Sequence, residues 1–115
     1  MIRHCVFIRF RAGIGWPEQQ ALFAQIVALR GRLPGLLAVH VANNSSPETG
    51  MDKGYSAGFI ADFADAAARD RYLADPEHQA TGARLVAAAE GGVAGILVYD
   101  LGLAATAAAP GAAHE

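Results

Sequence analysis

Apolar positions along this chain switch between two periods. From His4 to Arg11 they alternate, with His4, Val6, Ile8 and Phe10 on one side and Cys5, Phe7 and Arg9 on the other. Alternation of this kind predicts a strand. Both sides are largely apolar, so the strand reads as central and covered on both faces. Gly13 and Gly15 end it, and Pro17 suits the first turn of a helix, where a missing N–H costs nothing. Leu22, Ile26, Leu29 and Leu33 then recur at helical spacing, widened by Phe23 and Val27. Pro34-Gly35 stops that helix. Leu36 to Ala42 predicts a short second strand carrying His40, followed by a polar turn-rich loop from Asn43 to Gly50. Tyr55 to Phe63 predicts a third strand: Tyr55, Ala57, Phe59, Ala61 and Phe63 share one face, Ser56, Gly58, Ile60 and Asp62 the other. Asp65 can cap a short helix through Leu73. Asp75-Pro76 restarts it, with Asp75 as cap and Glu77 and His78 in the new first turn. That helix runs to Glu90, Gly91-Gly92 ends it, and Val93 to Leu101 predicts a fourth strand.

The order is β-α-β-β-α-β, an α+β fold with helices on one side of a four-stranded antiparallel sheet, the ferredoxin-like arrangement. Residues 1–103 form the domain. Residues 104–115 are an Ala-rich tail without a large apolar anchor, expected to be disordered. Helices on one face leave the other face bare. The alternation assigns His4, Val6, Ile8, Ala57, Phe59, Ile96 and Val98 to that bare face, too apolar to meet water as one patch. A second copy of the sheet is the simplest cover, so a homodimer through the sheet faces is expected.

Composition narrows the function classes. A chain of 115 residues with 53% hydrophobic positions is one globular domain with apolar surface to hide. A net charge of −2 and an aromatic fraction of 8% give no footprint for nucleic acid or an anionic membrane. The single cysteine, Cys5, rules out an internal disulfide and reads as a small buried hydrophobe. The start lacks the pattern of a signal peptide, and no apolar run is long enough to span a bilayer, so a cytoplasmic location is expected. Phosphate loops, dinucleotide glycine fingerprints and serine elbows are absent from the sequence. His4, His40 and His78 lack metal-ligand spacing, so no metal is expected.

The remaining chemistry lies around the helix break. Tyr72 and His78 flank Asp75-Pro76, which turns the chain so that both can face the sheet. The positive end of the helix dipole disfavours imidazolium at His78, while Asp75 and Glu77 favour it. A neutral His78 is able to take a proton from a carbon beside a carbonyl, and Tyr72 to hydrogen-bond the oxyanion that forms. The competing roles are structural: His78 fastening the helix start to the sheet, Tyr72 packing its ring with a wet hydroxyl, His4 as a satisfied core histidine.

Four segments together resemble the stress-responsive A/B barrel (Dabb) family: Ile2 to Arg11, Gly54-Tyr55, Tyr72 with Asp75-Pro76-Glu77-His78, and Leu97-Val98-Tyr99-Asp100. The resemblance spans residues 2–103 and implies a dimeric α+β barrel. Its plant polyketide cyclases imply more. They work without a cofactor and close a polyketide chain with a tyrosine and a histidine that match Tyr72 and His78, and their strand histidine matches His4. The resemblance makes these three the candidate catalytic residues. Their apolar wall implies substrate contacts at Val6, Ile8, Leu22, Phe23, Ile26, Ala57, Phe59, Ile96 and Val98. Two of these depart from the cyclases: Ala57 replaces a pocket histidine and Ile26 a helix tyrosine, so the wall here is less polar. Three readings follow: a cofactor-independent cyclase or lyase acting on a hydrophobic carbonyl compound, a non-catalytic ligand-binding or stress-responsive dimer, and a cofactor-free monooxygenase-like enzyme of the kind related barrels provide.

Overall fold

The computed structural model describes residues 1–104. Its elements are β1 (Ile2–Ile8), α1 (Trp16–Val27), β2 (Leu36–Asn43), β3 (Ala57–Phe63), α2 (Ala66–Ala74), α3 (Pro76–Ala88), a one-turn 3₁₀ segment (Gly92–Gly95) and β4 (Ile96–Gly102). The four strands form one antiparallel sheet in the order β2-β3-β1-β4, the ferredoxin-like topology the sequence pattern predicts. The tail expected to be disordered lies, from residue 105, outside the described residues. Among the described residues no helix is long and apolar enough to cross a membrane.

Local chemistry sets the helix ends. The Asp65 carboxylate accepts from the Ala68 N–H at 2.8 Å and starts α2. Asp75 ends α2 and caps α3, accepting from the His78 N–H at 3.0 Å, with Pro76 in the first turn. The apolar spacing carries the first helix to Leu33, yet α1 stops at Val27. Beyond it Leu29 and Arg30 donate to carbonyls three residues back, at 3.0 and 3.1 Å, so the chain tightens into turns. Leu29 is still buried, which is why the periodicity runs on past the helix. Gly35 then closes the turn into β2 at φ +86, where a Cβ would come within 2.5 Å of the Ala68 Cβ.

The faces of the sheet are the reverse of the alternation-based assignment. His4, Val6, Ile8, Ala57 and Phe59 lie under the helices, not on the bare face. Val6, Ile8, Ala57 and Phe59 join Phe23, Ile26, Leu29, Phe63, Tyr72 and Leu85 in the core. Val6 stands opposite Phe59 on one side and Val98 on the other, so Ile96 and Val98 share that covered side. Val98 nevertheless stays 51% exposed, because β4 is an edge strand that makes few contacts with the helices. The bare face carries Arg3, Cys5, Phe7, His40, Gly58, Ile60, Asp62, Leu97, Tyr99 and Leu101. The reason for the reversal is plain in β1. Cys5 and Phe7 are as apolar as Val6 and Ile8, so alternation alone does not say which set the helices cover.

Candidate functional site

The α2–α3 break brings Tyr72 and His78 together. Tyr72 lies in the last turn of α2 and His78 in the first of α3, and their ring centroids are 3.9 Å apart at 41°. One residue holds both ends. The Asp75 N–H donates to the Tyr72 carbonyl at 3.1 Å while its carboxylate caps His78. Arg32 donates to the same carboxylate at 2.6 Å and lies 3.5 Å from Glu77. This guanidinium, then the His78 N–H, holds the Asp75 carboxyl below the usual range.

His4 reaches the pair from β1. Its ring meets Tyr72 edge-on at 5.7 Å and is flanked by Phe63 at 6.2 Å and Phe59 at 6.3 Å. Its Nδ1 lies 2.5 Å from the Asp100 carboxylate, and Arg69 donates to that carboxylate's second oxygen at 3.1 Å. All three candidate catalytic residues thus form one cluster. The Leu97 to Asp100 segment of the family resemblance was the sequence signal for Asp100, which the structure pairs with His4 across the β1–β4 ladder. Sequence reasoning assigned it no role, because a partner 96 residues away is invisible to local pattern. Arg69 carried no such signal.

Of the apolar wall residues, Val6, Ile8, Phe23, Ile26, Ala57 and Phe59 belong to the same buried core as Tyr72, with Phe59 beside His4, and Leu22 and Ile96 pack against that core. Val98 stands apart, half in solvent. Cys5 lies on the opposite side of the sheet as a buried free thiol, its pKa pushed up by burial.

The electrostatics of the cluster are those of a dry place. Tyr72 is 0% exposed, and burial pushes its phenol up. Burial lowers the His78 pKa and repulsion from His4 adds to this, while Asp75 and the Leu73 backbone carbonyl oppose it. Near neutral pH the site therefore presents a protonated phenol beside a neutral imidazole. Tyr72 Oη and His78 Nδ1 are both buried without a hydrogen-bond partner. Buried polar atoms in folded proteins are nearly always paired, and leaving one unpaired costs about 1–3 kcal/mol. Both atoms lie in the single Tyr72–His78 ring stack. Among the described residues no cluster of His, Cys, Asp or Glu is arranged to hold a metal ion.

Comparisons with known proteins agree with this architecture. A family model described as the Stress responsive A/B Barrel Domain matches residues 2–101. A dimeric ferredoxin-like protein of unknown function from Jannaschia sp. CCS1 is 32% identical, with 89% of this chain and 98% of that one covered at a TM-score of 0.81. A hydroxynitrile lyase from Passiflora edulis is 17% identical over 93% of this chain and 96% of its own, at a TM-score of 0.76. SnoaB, a cofactor-independent oxygenase from Streptomyces nogalater, is 21% identical over 91% of this chain and 94% of its own, at 0.68. The last two likenesses are likenesses of fold. The search of curated proteins returned no match.

Proposed function

The chain belongs to the stress responsive A/B barrel domain family, and on that premise we propose that it is a cofactor-independent cyclase or lyase for a hydrophobic, polyketide-like carbonyl compound. In this reading His78 is the base, Tyr72 donates to the oxyanion, and His4 is the third polar group of the site. The apolar wall of Val6, Ile8, Leu22, Phe23, Ile26, Ala57, Phe59 and Ile96 receives the carbon skeleton, with Val98 at the rim. The observation that carries the reading is the pair of buried, unpartnered atoms, Tyr72 Oη and His78 Nδ1. A neutral imidazole accepts a proton from a carbon beside a carbonyl, and a phenol that keeps its own proton stabilises the enolate oxygen by donating a hydrogen bond. Neither step needs a group from outside the chain.

The working form is a homodimer through the bare sheet face. Tyr99 and Leu101 are 55% and 46% exposed there, beside Phe7, Ile60 and Leu97. Next to them a cleft of about 190 Å3 is lined by Phe7, His40, Asn44, Tyr55 and Ile60. The similar Jannaschia protein is described as dimeric. The complete enclosure of Tyr72 favours a second reading, a non-catalytic dimer that binds a small apolar ligand. The oxygenase reading has fold likeness alone behind it.

Benzoylacetone, a β-diketone with one apolar ring, tests the enzyme reading. The protein should speed exchange of its central methylene protons with heavy water, followed by NMR. His78→Ala should lower that rate by about 100-fold or more, and Tyr72→Phe by less. Binding without faster exchange would sink the enzyme reading in favour of the ligand-binding dimer.

A further inference from the structure

We infer that Arg32 is a positioning residue: acting through Asp75, it holds the α2–α3 joint at the setting that keeps the Tyr72 and His78 rings stacked. The inference rests on the acid–base reading of that pair and names what sets its geometry from outside the two helices. The joint is a single residue. Asp75 ends α2 and starts α3 in an extended conformation, at φ −69 and ψ 129. Rotation about its two soft dihedrals swings α3, and with it His78, relative to Tyr72. Local hydrogen bonds fix each side of the joint separately. The Asp75 N–H donates to the Tyr72 carbonyl at 3.1 Å, and the Gln79 N–H donates to the Asp75 carbonyl at 3.0 Å. One exposed bond crosses it, from the Gln79 side chain to the Leu73 carbonyl at 3.2 Å.

Arg32 supplies the tie from outside. Among the described residues it is the one hydrogen-bond partner of the Asp75 carboxylate that belongs to neither helix. Its Nη2 donates to Asp75 Oδ2 at 2.6 Å, and the same oxygen accepts from the His78 N–H at 3.0 Å. The cap of His78 and the tie to Arg32 therefore share one atom, and neither shifts without the other. The tie starts from a fixed base. The Arg32 and Leu33 N–H groups both donate to the Leu29 carbonyl, at 3.0 and 3.1 Å, and Leu29 belongs to the core. Arg71 ties α2 to the same segment, donating to the Pro34 carbonyl at 3.3 Å. The helix carrying Tyr72 and the joint leading to His78 are thus referred to one stretch of chain. Asp75 is buried, whereas the Arg32 side chain is 45% exposed. A cation half in water adds little to stability, but a short charge-assisted bond fixes direction.

Arg32→Gln separates this from a merely structural clasp. The full chain should stay folded by circular dichroism while the joint turns. The stack has its own signature: a tyrosine ring with its centroid 3.9 Å from the imidazole displaces the His78 ring-proton resonances, which His78→Gln identifies by their loss. In Arg32→Gln these resonances should move toward ordinary imidazole positions. Benzoylacetone exchange should fall by roughly 10- to 100-fold, the cost of a small misplacement. The loss should fall on kcat more than on KM, because the apolar wall is untouched. Arg32→Lys keeps a cation within reach and should recover part of both readouts. Asp75→Ser keeps a capping oxygen for the His78 N–H but is too short to meet Arg32, so it should reproduce Arg32→Gln. The double variant should be no worse than either single one, since both cut the same tie. Should Arg32→Gln fail to fold, Asp75→Ser carries the same two readouts. Unmoved His78 resonances in a folded Arg32→Gln would overturn the inference. So would moved resonances with exchange unchanged, or losses that add in the double variant. If the wild-type protein shows the displaced resonances, and Arg32→Gln moves them, but no exchange occurs, the acid–base reading fails and the hold of Arg32 on the pair stands.

Discussion

The two faces of the sheet treat polarity in opposite ways. On the bare face every prominent polar group is paired: Arg3 grips Asp62 through two contacts of 2.8 and 3.2 Å, and His40 lies 3.5 Å from the same carboxylate. Arg3 foremost keeps the Asp62 carboxyl below its ordinary range. Water is at hand there, yet nothing polar is wanting; what stands unaccompanied is apolar, at Tyr99 and Leu101. Under the helices the situation is inverted. Apart from Val98 at the edge, the apolar groups are packed into the core, and what stands unaccompanied is polar, at Tyr72 Oη and His78 Nδ1. Each face thus lacks the thing its surroundings cannot supply. An apolar group left to water fits a macromolecular surface, and a polar group left in a dry core leaves a hydrogen bond for water or for the small ligand proposed above.

The sharpest way to break this contrast is to place the same charge on both faces. Val6→Asp puts an unpaired carboxylate among Phe59, Phe23 and Ile26, and should destabilise the chain by ~4 kcal/mol or more, or prevent folding. Circular dichroism with urea denaturation reads this directly. Phe7→Asp, one residue along the same strand, should leave a folded chain that sediments as a monomer. The expected weakening of the pair is about 30-fold or more, the effect of losing an interface anchor. A Phe7→Asp protein that still sediments as a dimer would remove the bare face from the interface.

Two gentler changes probe the covered face. Tyr72→Phe deletes a hydroxyl that has no partner, so it should stabilise the free protein by about 1 kcal/mol in urea titration while lowering benzoylacetone exchange. A loss of stability instead would mean the hydroxyl is already satisfied by water. The smallest effect is one of pH. Burial lowers the folded His78 pKa, whereas an unfolded imidazole titrates near about 6.5. Below that pH the unfolded chain binds more protons than the folded one, so stability falls as pH drops from about 6.5 toward the lowered folded value. His78 is only half-buried, so the slope should be well short of one full proton. His78→Gln should flatten it.

How much of this was legible in the chain follows from the range of each interaction. The helix break was readable because its chemistry is local: Asp75, Pro76 and His78 are consecutive enough for cap and first turn to be seen in the letters. The order of elements along the chain followed from period and spacing. The face assignment did not, because Cys5 and Phe7 match Val6 and Ile8 in character, and only the helices decide between them. Asp100 escaped for a related reason, since its meaning lies in a ladder that joins the two ends of the domain. Val98 shows the limit of alternation from the other side: it sits on the covered side of the sheet but beyond the reach of the cover.

The single-residue joint at Asp75 also makes the site sensitive to reading frame in a spatial sense. Each residue of an α-helix advances the side chain by about 100° around the axis. One residue inserted or deleted between Tyr72 and His78 would leave both helices intact and the core composition unchanged, yet would swing the imidazole off the phenol ring. The spacing between these two residues is therefore a far stricter signature of the site than the identity of any wall residue. A relative that keeps both letters at a different separation has the barrel without the pair.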